Sequence, residues 1–288
     1  MSTDVVDSPI VVGIDGSESA LNAMQWAAQE AAGHGWPVRL VNAYEQLPGI
    51  PTTAARTVRV VAEELLREAR ERLESRGFAS LNVSTVARPG FPSRVLVQES
   101  AQARALVVGR EGAGLFTPMV LGSTSLACAT HARVPVVVIP ETWQPAPPAQ
   151  RAITLCVDGS SRSQAAIEYA FATASRWKAR LVAVFAMRRT EQLVADALVI
   201  DTESLASARR MVSRQMAEWR SKLPDVDVTE VVEVGHPAAV IKERATDADL
   251  VVLGGRGHGT VTGMPLGSVA HAVLHHVDRP IAVVHELD

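Results

Sequence analysis

The chain has 288 residues, 47% of them apolar and 20% charged, with a net charge near −3. That is the composition of a folded protein long enough for two average domains. It gives no electrostatic case for nucleic acid or an anionic membrane, and no apolar run approaches the roughly 18 residues of a spanning helix.

The N-terminal MSTDVVDSPI lacks the basic region and apolar core of a signal peptide. IVVGID (10–15) predicts a first strand, short, β-branched and buried on both faces. Ser17 then offers an N-cap to a helix over ESALNAMQWAAQEAAG, which Gly33 or Gly35 ends. VRLVNAY (38–44) is the second strand. Val58, Ala62, Leu65, Leu66, Ala69 and Leu73 mark one face of a second helix closed by Gly77. LNVSTVA (81–87) is a third strand, and Pro92 opens a third helix over PSRVLVQESAQA (92–103). ALVVG (105–109), GSTSLACATHA (122–132) and PVVVIP (135–140) complete the set as strand, helix and strand.

The grammar is then written again. IVVGIDGS (10–17) matches ITLCVDGS (153–160), which puts Asp158 143 residues after Asp15. Gly90 and Gly235, Gly109 and Gly254, Gly122 and Gly267, and Pro135 and Pro280 keep an offset of 145. A period this long is a duplicated domain, since solenoid units run about 20–50 residues. The Pro- and Ala-rich ETWQPAPPAQR reads as a linker, which predicts a first domain over 1–140, a linker over 141–151 and a second domain over 152–288. In the second copy Leu205, Ala208, Val212, Met216 and Trp219 mark the face of the second helix. Strands alternating with helices imply parallel strands and right-handed crossovers, so each copy is expected to be a doubly wound five-stranded α/β domain. The last strands, VPVVVIP and RPIAVVH, would each leave an apolar sheet edge. The expectation is that the halves cover these edges by pairing within the chain, with a homodimer of chains beyond that.

In such sheets ligands sit beyond the carboxyl ends of the strands, where strand order reverses. Gly109 and Gly254 end the fourth strands, Gly112 and Gly257 follow on the loops, and Gly122-Ser123 and Gly267-Ser268 open the fourth helices. A helix N-terminus offers unpaired N–H groups to an anion, and glycine lets a phosphate come close. Asp15 and Asp158 end the first strands, where a carboxylate can accept hydrogen bonds from a ribose hydroxyl or a base, or can simply cap the following helix. The dinucleotide fingerprint G-x-G-x-x-G and the Walker Gly-Lys-Ser/Thr are both absent.

Together, Asp15-Gly16-Ser17, Gly109-x2-Gly112-x9-Gly122-Ser123 and Pro135, repeated as Asp158, Gly254-x2-Gly257-x9-Gly267-Ser268 and Pro280, resemble the universal stress protein family. The likeness is to its tandem two-domain, ATP-binding type, as found in actinobacteria. It implies an adenine nucleotide α hydrolase-like topology, ATP in each domain, with Mg2+ admissible beside it, and a role in stress adaptation or signalling. It further implies that Val41 and Val184 line the adenine pockets. The triphosphates would lie against Gly109, Gly112, Gly122 and Ser123, and against Gly254, Gly257, Gly267 and Ser268. Arg110, Thr124 and Val269 adjoin these positions and are counted with the site. Gly13, where backbone lies near the nucleotide, has Cys156 as its counterpart. Glu111 has Arg256, which predicts tighter ATP binding at the second site.

Enzyme chemistry finds less support. His271, His275 and His276 form H-x3-H-H on a helix, but no third metal ligand has suitable spacing. A phospho-accepting receiver would need an acidic pair, a second Asp and a Lys at strand ends, and these are missing. Arg188 and Arg189 could reach phosphates but read better as surface arginines. The expectation is therefore a nucleotide-binding regulatory protein with slow hydrolysis at most, against the alternative of an ATP-consuming transferase or ligase. Cys128 and Cys156, both in apolar context, predict inert thiols and a reducing cytoplasm.

Overall fold

The computed structural model describes residues 8–45, 52–112, 121–145, 151–187, 202–257 and 266–286. It divides into two units, Met1–Pro145 and Ala146–Asp288. Residues 146–150 of the expected linker, and Arg188 and Arg189, lie outside the described residues.

In the first unit β1 (Ile10–Gly13), β2 (Val38–Tyr44), β3 (Val83–Pro89), β4 (Ala105–Gly109) and β5 (Val136–Ile139) lie in the order β3-β2-β1-β4-β5. Every pairing is parallel. Right-handed crossovers put α1 (Glu18–Ala32) and α2 (Thr52–Leu73) on one face, and α3 (Pro92–Glu99) and α4 (Ser123–His131) on the other. The second unit repeats this. Its strands β6 (Ala152–Val157), β7 (Arg180–Met187), β8 (Val228–Val234), β9 (Leu250–Gly254) and β10 (Ile281–Val284) run β8-β7-β6-β9-β10, again all parallel. Its helices are α5 (Gln164–Trp177), α6 (Thr202–Lys222), α7 (Pro237–Arg244) and α8 (Ser268–His276). The doubly wound five-stranded α/β fold expected for each copy is the fold observed. Among the described residues no helix is long and apolar enough to cross a membrane.

Two strands of each unit are buried along their whole length. All residues of β4, β5, β6 and β10 are buried, as apolar runs covered on both faces must be. Ser17 caps α1 as expected, its hydroxyl accepting from the Ala20 amide at 3.2 Å. Cys128 and Cys156 are free and buried, and burial pushes both thiols up to about 12, outside the range of reactive cysteines.

Two expectations need correction. On α2, Ala62, Leu66, Ala69 and Leu73 are buried, but Val58 is exposed. A Cβ on Gly16, in the loop after β1, would touch Leu65 at 3.4 Å, so α2 passes the end of β1 near Leu65 and Val58 lies about two turns further out. The third helix stops at Glu99 rather than near residue 103. Ser100 ends it, its amide bonded to the Leu96 carbonyl and its hydroxyl to that of Val97, and the chain turns to enter β4.

The helix ends also differ between copies. Gly35, just after α1, sits at φ +68, and its counterpart Lys178 ends α5 at φ +53. A side chain in this region costs about 1 kcal/mol or more. Lys178→Gly should therefore raise stability by roughly 0.5–1 kcal/mol even after its larger unfolded-state entropy. The midpoint of urea unfolding reads this directly, and a lower midpoint would contradict it.

Candidate functional site

The order β3-β2-β1-β4-β5 reverses between β1 and β4, and a cavity of about 660 Å³ opens at the carboxyl ends of these strands. This is the switch point at which open α/β sheets hold ligands, and the volume falls in the range of small-molecule sites. Its floor is Gly13, Ile14, Val41 and Val108. Val41 pairs with Gly13 across β1 and β2. Asp15 stands at one wall, Glu111 and Gly112 at another, and Gly122, Ser123 and Thr124 bring the start of α4 to the rim.

Every first-copy residue expected at the site thus lines this cavity except Arg110. The Arg110 side chain is buried beside it, its Nε 2.8 Å from Glu111 Oε1, while its carbonyl accepts from the Gly122 amide at 2.7 Å. Arg110 therefore acts through the loop's shape and charge. Glu111 Oε2 is buried without a hydrogen-bond partner.

Of the two roles open to Asp15, the structure shows the one at the helix start. Its Oδ1 accepts from the amide of Ser17 at 3.0 Å and from its hydroxyl at 2.7 Å, closing the turn into α1. Its Oδ2 lies where a Cβ on Gly112 would come within 3.2 Å. Asp158 repeats this with more partners: the amide and hydroxyl of Ser160 at 2.9 and 2.7 Å, and the Ser163 hydroxyl at 2.6 Å. A Cβ on Gly257 would overlap the Asp158 carboxylate. The second loop glycine in each copy thus lets the loop rest on the strand-end aspartate.

The other glycines answer to different neighbours. A Cβ at Gly109 would run into Ser19 and come within 2.8 Å of the Ala20 amide, so this glycine admits α1 against β4. Ser19, almost wholly buried, fastens the contact by donating its hydroxyl to the Glu111 carbonyl at 2.5 Å. At Gly122 a Cβ would come 3.1 Å from the Arg110 carbonyl. At Gly267 it would meet nothing nearer than 3.5 Å, and its φ of −69 suits any residue. Among the described residues, neither conformation nor crowding of a Cβ demands a glycine there.

In the second unit Val184 is buried and pairs with Cys156 across β6 and β7, as Val41 does with Gly13. Gly254 ends β9, Gly267 caps α8 and donates its amide to the Gly255 carbonyl at 2.8 Å, and Ser268 and Val269 form the first turn. His271 is exposed, with its ring 4.5 Å from that of His275.

Several lining residues were missed by sequence reasoning: Ala43, Pro92, Leu96, Ser125 and Leu126. Helical or strand periodicity reads Leu96 and Leu126 as ordinary core. The available signal was positional, since α3 and α4 both start at the sheet edge where the cavity opens. Asn42 is a second omission. It is buried and donates Nδ2 to the Ile14 carbonyl at 2.7 Å, steadying the strand end before Asp15.

The fold is a doubly wound α/β domain present twice in sequence, and in the first copy a cavity opens at its switch point. The model for the universal stress protein family matches residues 8–140 and again 150–285, and the chain belongs to that family. It is 34% identical over 288 residues to a universal stress protein of Mycolicibacterium smegmatis, covering 96% of each chain. It is 32% identical over 306 residues to one of Mycobacterium tuberculosis, covering 98% of this chain and 96% of the relative. The crystal structure of a universal stress protein from Archaeoglobus fulgidus superposes with a TM-score of 0.72 over 97% of both chains at 19% identity, a likeness of fold.

Proposed function

We propose that this chain is an ATP-binding regulatory protein of stress adaptation or signalling, with one nucleotide site per domain and hydrolysis that is slow at most. The observation that carries the reading is the cavity at the β1/β4 switch point, where Asp15, Val41 and the start of α4 converge. Its residues fit the nucleotide. The apolar floor suits a base, the first amides of α4 suit phosphate, and the helix-start glycine leaves room for an anion. Gly267 supports this independently, because a Cβ there would make only ordinary contacts among the described residues. Ser123 and Ser268 add hydroxyls at the same place, and the strand-end aspartates can accept from a ribose hydroxyl. Mg2+ would accompany the phosphates as an ATP counter-ion.

Slow turnover is supported by Asp15, whose Oδ1 already accepts from the Ser17 amide and hydroxyl and so serves the turn into α1 rather than a water. Hydrolysis should run below the roughly 1 s⁻¹ low end of enzymes, measured as phosphate release. A rate of tens per second, abolished by Asp15→Asn, would favour the transferase or ligase instead. Acid extraction and chromatography of purified protein should release adenine nucleotide, and a different bound molecule would overturn the choice of ATP. Residence in the cytoplasm, independence of nucleic acid and membrane, pairing of the halves and a homodimer belong to the same proposal. For the last two, separately expressed halves should self-associate in sedimentation runs.

A further inference from the structure

The second unit has an opening at the other end of its sheet. A cavity of about 880 Å³ lies where β6, β7 and β8 begin and α5 ends, lined by Arg151, Lys178, Arg180, Asp225 and Asp227, with Ser175 beside them. The backbone sets three of these residues side by side on neighbouring strands. Arg180 donates its amide to the Arg151 carbonyl at 3.1 Å, and Leu181 donates its own to the Asp227 carbonyl at 2.8 Å. Lys178 arrives from the end of α5, and Arg151 lies over the ring of Trp177, 4.8 Å from its centre. Lys178, Arg180, Asp225 and Asp227 are exposed, and among the described residues none of these four is held in an ion pair.

The duplicated fold supplies an internal control. Ile10, Val38 and Val83 share a register in the first sheet, as Ile153, Leu181 and Val228 do in the second. Counting from these, the places of Arg151, Lys178, Arg180, Asp225 and Asp227 are held in the first copy by Ser8, Gly35, Pro37, Ser80 and Asn82. None of those is charged, so the fold itself does not require charge there. Lys178 also sits at φ +53, a region that suits Gly35 and strains a side chain. Strain retained for a side chain that the fold does not need points to a role for that side chain.

The groups define what the cavity would hold. Arg151 and Arg180 offer forked N–H donors and Lys178 an ammonium, a set suited to the several acceptor oxygens of a phosphate. Asp225 and Asp227, when ionised, only accept, and they match hydroxyl donors rather than a second anion. We infer that this cavity is a ligand site for a small phosphate ester with a hydroxylated body, such as a sugar phosphate. The phosphate meets the three cations and the hydroxyls meet the two aspartates. The inference is independent of the nucleotide reading, since it uses none of the same residues.

The test is calorimetric titration of ribose 5-phosphate, and separately of inorganic phosphate, into the intact protein. Ribose 5-phosphate should bind saturably and about tenfold more tightly than inorganic phosphate, the excess coming from its hydroxyls. Arg180→Ser should weaken it about tenfold. Lys178→Gly should weaken it similarly while raising the midpoint of urea unfolding, so that lost binding cannot be lost folding. Asp227→Asn should weaken ribose 5-phosphate and leave inorganic phosphate no weaker. No saturable binding of ribose 5-phosphate by folded wild-type protein overturns the inference. So does an affinity that both Arg180→Ser and Lys178→Gly leave unchanged, which would place the ligand elsewhere. Equal affinities for the two probes would overturn the assignment to an ester.

Discussion

Gly109→Ala is expected to cost about 2–3 kcal/mol of stability, although alanine is small and the residue ends a strand. The reason is what the new methyl group would strike. It would overlap Ser19 and press on the Ala20 amide at the start of α1, and helix backbone cannot rotate away as a side-chain tip can. Relief would require α1 to shift off β4, exposing part of the buried face that includes Ala23, Met24 and Ala27. It would also stretch the Ser19 bond to the Glu111 carbonyl and move the loop at the cavity wall. Gly254→Ala, at the same place in the second copy, should cost less, about 1 kcal/mol, because its nearest neighbour is the Arg256 carbonyl at 3.2 Å. Urea unfolding of both variants tests the contrast. A larger loss for Gly254→Ala would show that contact with α1 is not what excludes a side chain at Gly109.

Gly267→Val is expected to do the reverse, with stability changed by no more than about 1 kcal/mol and ATP affinity at the second site lowered about a hundredfold, near 2.7 kcal/mol. The Cβ would have ordinary contact distances to Gly255, Arg256 and Gly257, so it adds no strain against these neighbours. The branched side chain would stand beside the first amides of α8, where an anion would have to approach the backbone. Calorimetry should show the loss, and the unfolding midpoint should barely move. Gly122→Val is a less clean test, since its Cβ starts 3.1 Å from a backbone carbonyl and mixes strain into the binding result.

Much of the architecture was legible because the signals were local and redundant. Apolar β-branched runs such as Val136–Ile139 can only be buried strands, Ser17 announces α1, and the repeat makes each assignment twice. The site was legible in outline for the same reason, with Asp15, Val41 and the glycines of the loop all meeting at one cavity. What escaped detection depends on tertiary placement. Val58 has the right period for a buried face, but periodicity does not say where the sheet ends. Arg110 sits between site residues in sequence, yet its side chain pairs with Glu111 and does not line the cavity. The shared glycine spacing concealed different surroundings: contact with a helix at Gly109, contact with a carboxylate at Gly257, and only ordinary contacts for a Cβ at Gly267. Only neighbours distant in sequence separate them.

The Arg110–Glu111 ion pair illustrates the same limit: sequence comparison sets Glu111 against Arg256, and the pairing with Arg110 appears only in the folded chain.

The central claim is that each glycine loop marks a working nucleotide site. Counting nucleotide per chain tests it most directly, by equilibrium dialysis of the intact protein against radiolabelled ATP up to saturation. Two bound per chain is the predicted result, falling to one in Gly267→Val. No saturable binding in folded wild-type protein would contradict the account.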